Sequence, residues 1–442
     1  MFATQLLADF GSAFRLQSLP EDVAHHAKRA VIDWYASVFP GLNAAPVRML
    51  EQALSEDLDH GSARLVLGRR ATARSAALIN GAAAHAAEVD DSFRDAMYHP
   101  GAATIAAALA ASQDVDASGL DFLRAVVAGY EISTRIGVVL GRPHYLYWHN
   151  TGTVGAFGAA AAAACLHRLD SMAFAHALAT AATFSAGLQQ AFRMDSMSKP
   201  LHPGRAAEAG ILAAMLAKRG LTGSLDVLDG DAGFGKAMSK DADWSCIGAT
   251  LGQVFHIKSL TFKNHVGCGH TFAAIDGALA LQRQHALKPE NVARVRIGTY
   301  KPALDIACYQ DPRTANEARF SLKYVVATAL VHGSVRMAAY EPGRLNDPVV
   351  RALMQRIDVT VDPELDALFP RQRAARIEID TTDGRRLRYL QPNRKGDPEL
   401  PLSDEDISDK LIELAGPVIG NEQAGILLAR LWLVEQASRI DW

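Results

Sequence analysis

The sequence predicts a mainly α-helical protein with a large all-helical bundle domain and a smaller α+β domain. Up to about residue 258, apolar residues recur at three- and four-residue spacing in Ala-rich segments, as in amphipathic helices. Beyond that point, short segments alternate apolar and polar residues, as half-buried strands do. With 442 residues, the chain is longer than the roughly 250–300 residues that one core usually supports, so two domains are expected. We place the helical domain at 1–258 and 398–442, and the α+β domain at 259–397.

Helical periodicity defines the segments of the large domain. They cover 21–37, 73–90, 101–113, 119–138, 152–167, 171–187, 204–219 and 223–229, with a last helix at 421–438. Several consist largely of Ala and Gly, which allow helix backbones to approach closely. We therefore expect a compact bundle with tightly apposed central helices and no strand of any length before about residue 250.

The α+β domain is predicted from its alternating segments. Strands are expected at 294–300, 359–362, 375–380 and 385–390, and helices at 271–284, 320–332 and 347–357. The sequence TTDG between the last two strands is typical of a hairpin turn. Asp347 and Pro348 are suited to the start of the third helix, and Ser403 to the start of the helix that follows this domain.

Composition excludes several classes of function. The formal net charge is −3, with acids and bases interspersed, so the chain offers no basic surface for nucleic acid. The four cysteines are too scattered for a disulfide framework, a zinc ribbon or an iron–sulfur cluster, which indicates a reducing compartment. The longest uncharged apolar runs are shorter than the ~20 residues of a membrane span, and no secretory signal is evident. We therefore expect a soluble, cytoplasmic protein without nucleic-acid or membrane partners.

The segment SKPLHPGRA at 198–206 is the most informative stretch for function. It places Lys199, His202 and Arg205 in a loop, which Pro and Gly keep out of regular structure, directly before an Ala-rich helix. Cationic and polar side chains that converge with the free N–H groups of a helix N-terminus are suited to bind a carboxylate. A surface loop with solvated charges is the alternative.

A cluster of acids in HAAEVDDS at 85–92 is the second candidate. It places Glu88, Asp90 and Asp91 at the C-terminal end of a predicted helix, where the helix dipole disfavours negative charge. His85 and Glu88 are expected to share a helix face. Crowding and burial raise the pKa of one such carboxyl group toward neutral, which makes it a proton donor or acceptor. A frayed helix end with an arginine as counter-ion is the alternative.

Two further polar segments are candidates for ligand contacts. His149 leads into a helix whose glycines lack the spacing of a dinucleotide-binding or phosphate-binding loop. The run KNHVGCGHT at 263–271 contains His265, Cys268 and His270, which form a partial zinc set. We favour a polar, metal-free ligand loop at the domain junction. A zinc hydrolase site or a buried, inert cysteine are the alternatives.

Taken together, these motifs resemble the MmgE/PrpD family, which includes 2-methylcitrate dehydratase and cis-aconitate decarboxylase. SKPLHPG at 198–204 and ARFSLKY at 318–324, in this order, are specific for the family, and the likeness covers essentially the whole chain. The resemblance implies a homodimer in which the helical domain carries a smaller lid domain, with the site in the cleft between them. Members act on small di- and tricarboxylic acids without a metal or organic cofactor, so the resemblance implies none here.

The resemblance also assigns site residues. It gives Glu88 where relatives often have aspartate, Ser92 where they often have threonine, and then His99, Lys199, Cys268 and Tyr324. Two features depart from the decarboxylases: Cys268 stands in place of a histidine, and the spacing from Ser92 to His99 is one residue longer. Phe272 stands where many members have histidine, and His270 lies two residues earlier.

The sequence favours a hydro-lyase similar to 2-methylcitrate dehydratase, which removes a proton beside a carboxylate and expels a hydroxyl. His99 is the expected base. The other catalytic candidates are Lys199, Tyr324, Asp91 and His270, and the substrate-binding candidates are Glu88, Ser92, His149, His202, Arg205 and Cys268. Epimerisation of a dicarboxylate such as iminodisuccinate, or decarboxylation of the cis-aconitate type, uses the same groups and stays open. A carboxylate-binding protein without catalysis is the non-enzyme alternative.

Overall fold

A computed structural model describes residues 1–192 and 196–442 as two compact units. The larger unit comprises Met1–Thr261 and Ser403–Trp442, and the smaller unit comprises Phe262–Leu402. The boundaries thus lie a few residues after the expected 258 and 397. The mainly helical fold with a smaller α+β part is confirmed.

The elements follow one another along the chain. The first part of the larger unit contains α1 (Ala3–Phe14), α2 (Glu21–Leu42), α3 (Ala45–Ala53), β1 (Leu58–Arg64), β2 (Arg70–Ala71), α4 (Ala73–Ala86), α5 (Pro100–Asp114), α6 (Gly119–Tyr145), α7 (Asn150–Thr153), α8 (Gly155–Leu166), α9 (Ser171–Phe184), α10 (Leu201–Ala217) and α11 (Phe234–Met238). The smaller unit contains α12 (Phe272–His285), β3 (Val292–Thr299), α13 (Lys301–Ile306), α14 (Ala315–Arg319), α15 (Leu322–His332), α16 (Pro342–Leu345), α17 (Pro348–Met354), β4 (Ile357–Val361), α18 (Pro363–Leu368), β5 (Ala375–Thr381) and β6 (Arg386–Gln391). The larger unit then ends with α19 (Asp404–Ile419) and α20 (Asn421–Trp432).

The larger unit is a helical bundle around α8, of which every residue is buried. Helices α5, α6 and α10 pack against α8. Small residues allow the close approach: a Cβ atom on Gly129 of α6 would lie 2.6 Å from the backbone oxygen of Gly158 of α8. The predicted tight packing of the Ala- and Gly-rich helices is therefore confirmed.

The contact between α10 and α4 positions the candidate site. A Cβ atom on Gly204 would lie 2.3 Å from the backbone oxygen of Leu78, so only glycine allows α10 to pack this closely. Lys199, just before α10, is thereby brought within reach of Glu88, just after α4. The glycine of the SKPLHPG segment thus has a packing role.

Three local predictions for the larger unit are wrong. The unit is not all-helical, because β1 and β2 form a short antiparallel pair; β1 has no regular alternation of buried and exposed residues, so it has no strand signal. Residues 223–229 form turns, since Ser224 bonds to the Asp226 side chain and local bonds of this kind compete with helix formation. The predicted loop at 198–206 becomes helical at Leu201, because Pro203 lies in the first turn, where no intrahelical N–H bond is lost.

The smaller unit is built on a four-stranded sheet in the order β4-β3-β5-β6. β3 and β4 are parallel, and the other neighbouring pairs are antiparallel. Helix α12 packs on β5 and β6, and α15 packs on α12. The four predicted strands, the hairpin between the last two and the cap of α17 by Asp347 are confirmed. Among the described residues, no helix has both the length and the apolar character needed to cross a membrane.

Candidate active site

The acid cluster lies in the segment that links α4 to α5, residues 87–99, which we call the acid turn. Because α4 ends at Ala86, His85 and Glu88 do not share a helix face as predicted. Glu88 has a φ of 59°, in the left-handed region, at the position after a helix where glycine is common. This conformation strains a residue with a side chain by about 1–2 kcal/mol. After it, the chain places the Asp90 and Asp91 carboxyl groups in the interior.

Lys199 meets the acid turn through an ion pair with the Glu88 carboxylate, and both side chains are largely buried. The other two members of the predicted cationic group have partners of their own. His202 faces His149, with 2.9 Å between their Nδ1 atoms. Arg205 is 62% exposed and pairs with Glu208 one turn further along α10. Of the three side chains, Lys199 pairs directly with the acid turn, His202 lies beside His149, and Arg205 turns to Glu208.

His99 is held at the end of the acid turn, directly before the proline that begins α5. Its Nδ1 atom lies 2.6 Å from the backbone oxygen of Asp91 and 3.4 Å from a carboxylate oxygen of Asp90. A carbonyl oxygen can only accept, so Nδ1 carries the proton that faces the Asp91 oxygen. The His99 side chain is 20% exposed, whereas that of Asp90 is 2% exposed.

A row of imidazoles continues from His99 into the protein, and sequence reasoning missed its central member. His85 Nδ1 lies 2.7 Å from the Asp90 carboxylate, and its ring centroid lies 5.0 Å from that of His99 and 5.5 Å from that of His149. Burial lowers the pKa of His85 to about 3 and that of His149 well below its ordinary value, so both are neutral. The only sequence signal for His85 was its place within the acid cluster motif.

The protonated form of Asp91 is favoured by its surroundings. Burial raises its pKa to about 8, and the carboxyl groups of Asp33 and Asp90 act in the same direction. The Tyr130 hydroxyl donates to one carboxyl oxygen over 2.8 Å and the Gly101 N–H to the other over 3.0 Å, which does not offset the burial. The raised pKa is the one that crowding of the carboxyl groups predicts.

Two sets of contacts anchor the acid turn. Lys410 of α19 donates to the Asp33 carboxylate over 2.5 Å and to the backbone oxygen of Val89 over 2.8 Å, with both side chains buried. Ser92 pairs with Thr261 through backbone bonds of 2.9 and 2.8 Å. Nothing in the local sequence pattern linked Lys410 to a turn that lies more than 300 residues earlier.

The predicted site residues of the smaller unit each form hydrogen bonds with other residues of that unit. Cys268 is buried and its N–H donates to the backbone oxygen of Arg319. His270 Nδ1 lies 2.9 Å from the Tyr300 hydroxyl, and burial lowers the His270 pKa well below its ordinary value. The buried Tyr324 hydroxyl donates to the backbone oxygen of Ala339, and burial raises its pKa. Its proton is thus shared with a carbonyl in this structure.

A metal could be held by one group among the described residues: His85, Asp90 and His99, whose ligand atoms lie within 4.8 Å of one another. The partial zinc set predicted at 265–270 does not form such a group among those residues. His265 bonds instead to the Asp276 carboxylate over 2.8 Å. The loop at 263–271 therefore does not support the zinc hydrolase alternative, which was based on it.

Comparison with known proteins adds relatives that span the chain. The family model for the MmgE/PrpD N-terminal domain matches residues 5–247, and that for the MmgE/PrpD C-terminal domain matches 265–433. A cis-aconitate decarboxylase-like protein of Aspergillus oryzae is 28% identical over 451 residues, covering 95% of this chain and 92% of that protein. The cis-aconitate decarboxylase of Homo sapiens is 28% identical, covering 92% and 86%. That of Aspergillus terreus is 26% identical, covering 94% and 89%.

The two family matches agree with the order of the motifs. SKPLHPG at 198–204 lies within the N-terminal match, and ARFSLKY at 318–324 lies within the C-terminal match. Together the matches span far more than half of the sequence. The chain therefore belongs to the MmgE/PrpD family of lyases and isomerases.

Proposed function

We propose that this enzyme is a cofactor-independent lyase of small polycarboxylic acids, and that it carries out a decarboxylation of the cis-aconitate type. The observation that carries the proposal is the acid turn, which holds a partly exposed imidazole, His99, and an ion pair between Lys199 and Glu88. The relatives named as cis-aconitate decarboxylases favour this reaction over the dehydration expected from the motifs.

Lys199 would bind a substrate carboxylate. In the unliganded protein its ammonium is neutralised by Glu88, and both groups are largely removed from water. A carboxylate that competes with Glu88 for the ammonium gains a charge-assisted hydrogen bond in a site of low dielectric. The same ammonium then stabilises the negative charge that develops on the substrate during the reaction.

His99 would move the proton. In a decarboxylation the bond to the departing carboxyl carbon breaks and carbon dioxide leaves. The electron pair of the broken bond remains on the substrate as a carbanion that is conjugated with another carboxylate. The His99 imidazolium then donates its Nε2 proton to that carbon. The Asp91 carbonyl and the Asp90 carboxylate, both facing Nδ1, favour the imidazolium and orient the ring.

Dehydration of 2-methylcitrate is the second candidate, favoured by two departures from the decarboxylases. Cys268 stands where they have histidine, and the spacing from Ser92 to His99 is one residue longer. In this reaction neutral His99 accepts the proton beside a carboxylate on Nε2, and a protein acid protonates the hydroxyl as it leaves as water.

Proton NMR in deuterated water distinguishes these reactions. The purified protein is incubated separately with cis-aconitate, 2-methylcitrate, citrate and iminodisuccinate. We expect carbon dioxide release from cis-aconitate with one deuterium incorporated into the product. Loss of water from 2-methylcitrate would transfer the proposal to the second candidate, and inversion of iminodisuccinate would show an epimerase. No reaction on any of the four would contradict a polycarboxylate lyase.

Two control samples sharpen this assay. His99→Gln should abolish deuterium incorporation while substrate still binds, since it keeps a polar side chain but cannot transfer the proton. Dialysis against a chelator should leave the activity unchanged. Activity lost on chelation and restored by one divalent metal would show that His85, Asp90 and His99 hold an ion.

A further inference from the structure

The guanidinium of Arg319, the last residue of α14 in the smaller unit, has no counter-charge among the described residues. Its Nε atom is buried and makes no hydrogen bond, and none of the carboxylates in the described residues forms an ion pair with its guanidinium. Its guanidinium carbon lies 5.2 Å from the centroid of the Tyr340 ring. Burial lowers the Arg319 pKa, which shows that its surroundings disfavour the charge.

Another arginine of the same unit shows how a buried guanidinium is usually accommodated, by pairing with a carboxylate. Arg394 is 2% exposed, and the Asp397 carboxylate accepts from two of its nitrogens over 2.9 and 2.5 Å. A cation–π contact of the kind that Arg319 makes compensates a desolvated charge less fully than a paired carboxylate does. The described residues therefore compensate the Arg319 charge only in part, and an anion from outside the chain would compensate it further.

The surroundings of Arg319 connect it to a predicted substrate-binding residue. Its backbone oxygen accepts the N–H of Cys268 over 3.0 Å. The Tyr340 hydroxyl, on the ring that faces the guanidinium, donates to the backbone oxygen of Val266 over 2.6 Å. Gly267, which lies between Val266 and Cys268 in the chain, has a φ of 122°, and a Cβ atom there would lie 2.9 Å from the Tyr340 hydroxyl. Arg319 and Tyr340 thus hold the short loop that presents Cys268.

We propose that Arg319 is a binding residue for a carboxylate group of the substrate. A guanidinium offers a planar set of N–H donors that matches a carboxylate in two parallel bonds, and the face of Tyr340 orients that plane. The inference rests on the proposed function only in taking the ligand to be the polycarboxylic substrate. It adds a residue that neither the motifs nor the family resemblance had assigned.

Binding of an unreactive polycarboxylate tests the proposal without requiring turnover. Propane-1,2,3-tricarboxylate has neither a double bond nor a hydroxyl, so it reports binding alone, and isothermal titration calorimetry in a chloride buffer measures its affinity. We expect Arg319→Gln to weaken binding by about 30-fold or more, because a charge-assisted contact is lost. Arg319→Lys, which keeps the charge but not the planar fork, should be weakened less.

Arg313→Gln is the matched control. It removes the same charge two residues before α14, where the side chain is 77% exposed and pairs with Asp311. This variant should bind the tricarboxylate as the wild type does. Equal weakening in Arg313→Gln and Arg319→Gln would overturn the proposal, since the effect would then come from net charge alone.

Thermal melting separates binding from a structural role. Without ligand, Arg319→Gln should melt at or above the wild-type temperature, because it removes a desolvated charge. With the tricarboxylate, the wild type should gain stability and Arg319→Gln should gain much less. A variant that melts well below the wild type, yet keeps the full ligand-induced increase, would show that Arg319 is structural.

The results also separate this inference from the proposed reaction. Unchanged affinity in Arg319→Gln, together with turnover by the wild type, would overturn only the role of Arg319. Weakened affinity without turnover of any of the four acids would support Arg319 and contradict the proposed lyase. A wild type that neither binds the tricarboxylate nor turns over any of the four acids would contradict both.

Discussion

At the residue scale, the ion pair between Lys199 and Glu88 is the clearest sign of a site adapted to anions. Glu88 stands in a strained left-handed conformation where glycine would be easier, and its carboxylate is largely buried with Lys199. Strain and buried charge at one residue lower stability and are retained where they serve function. Both features agree with the proposed exchange of Glu88 for a substrate carboxylate on Lys199.

Replacement of Lys199 by methionine tests this role. We expect Lys199→Met to lower kcat/KM by about 100-fold or more, because the ammonium is lost both as carboxylate ligand and as transition-state charge. The steady-state assay uses whichever acid is turned over. Lys218→Met, at the exposed end of α10, is the control and should be fully active. Activity of Lys199→Met near that of the control would remove Lys199 from the mechanism.

The Asp90 carboxylate should matter through His99 rather than through substrate. Asp90→Asn replaces a charged acceptor that faces both His85 and His99 with a neutral amide. We expect kcat to fall by about 10- to 100-fold with KM little changed, since orientation of the acid–base group is affected and binding is not. A rise in KM at constant kcat would instead make Asp90 a substrate contact.

Asp91 should make stability depend on pH. The structure raises its pKa from 3.8 to about 8, so the unfolded chain loses this proton first as the pH rises. The contribution of Asp91 to the free energy of unfolding of the wild type is therefore fully present below pH 4. It falls between pH 4 and 8 and stays constant above pH 8. Asp91→Asn has no proton to lose, so its unfolding free energy relative to the wild type should rise across that range.

Chemical denaturation at several pH values measures this trend. Asp95→Asn serves as control, because Asp95 lies in the same turn but is 66% exposed. The control should follow the wild type at every pH. A difference between Asp91→Asn and the wild type that is constant from pH 4 to 8 would contradict a protonated, buried Asp91.

At the scale of elements, α19 supports the acid turn from a distant part of the sequence. Lys410 joins α19 to Asp33 of α2 and to the backbone of Val89. Removal of one member of a buried ion pair costs about 3–5 kcal/mol, because the other charge stays buried. Lys410→Met should therefore destabilise the protein by that amount and reduce activity as well.

A double variant separates the ion pair from the packing of Lys410. Asp33→Asn combined with Lys410→Met removes both charges of the ion pair, so neither partner is left as a buried, unpaired charge. The destabilisation of the double variant should therefore be smaller than the sum of the destabilisations of the two single variants. Guanidinium unfolding of the three variants measures the coupling. Strict additivity would show that the two side chains do not depend on each other.

At the scale of the whole molecule, the larger unit is completed by chain that returns after the smaller unit. α19 buries Ile407, Leu411 and Leu414 and packs against α2. We therefore expect a chain that ends at Leu402 to lose cooperative unfolding of the helical bundle, although every residue of the smaller unit is retained. Circular dichroism melting checks this, and a native-like transition would contradict it. The homodimer implied by the resemblance stays a prediction, which light scattering can test.

Local patterns were enough for most of the fold and failed where local and tertiary information compete. The helices of the bundle and the strands of the smaller unit are repeated patterns of burial, which a single sequence displays directly. The start of α10 was misplaced because proline usually breaks helices, and its tolerance in a first turn depends on where that turn begins. β1 carried no pattern, since few of its residues are buried.

For the candidate site too, some features could be predicted from local sequence and others depended on tertiary contacts. The sequence alone identified the family and proposed His99, Lys199 and the crowded carboxyl groups as candidates, because residue types and their order are chemical information carried in short motifs. Only the tertiary structure showed that Arg205 turns away to Glu208, that His85 lies between Asp90 and His149, and that Lys410 supports Val89. The energies of these contacts depend on burial and on distances through space, which spacing along a chain does not contain.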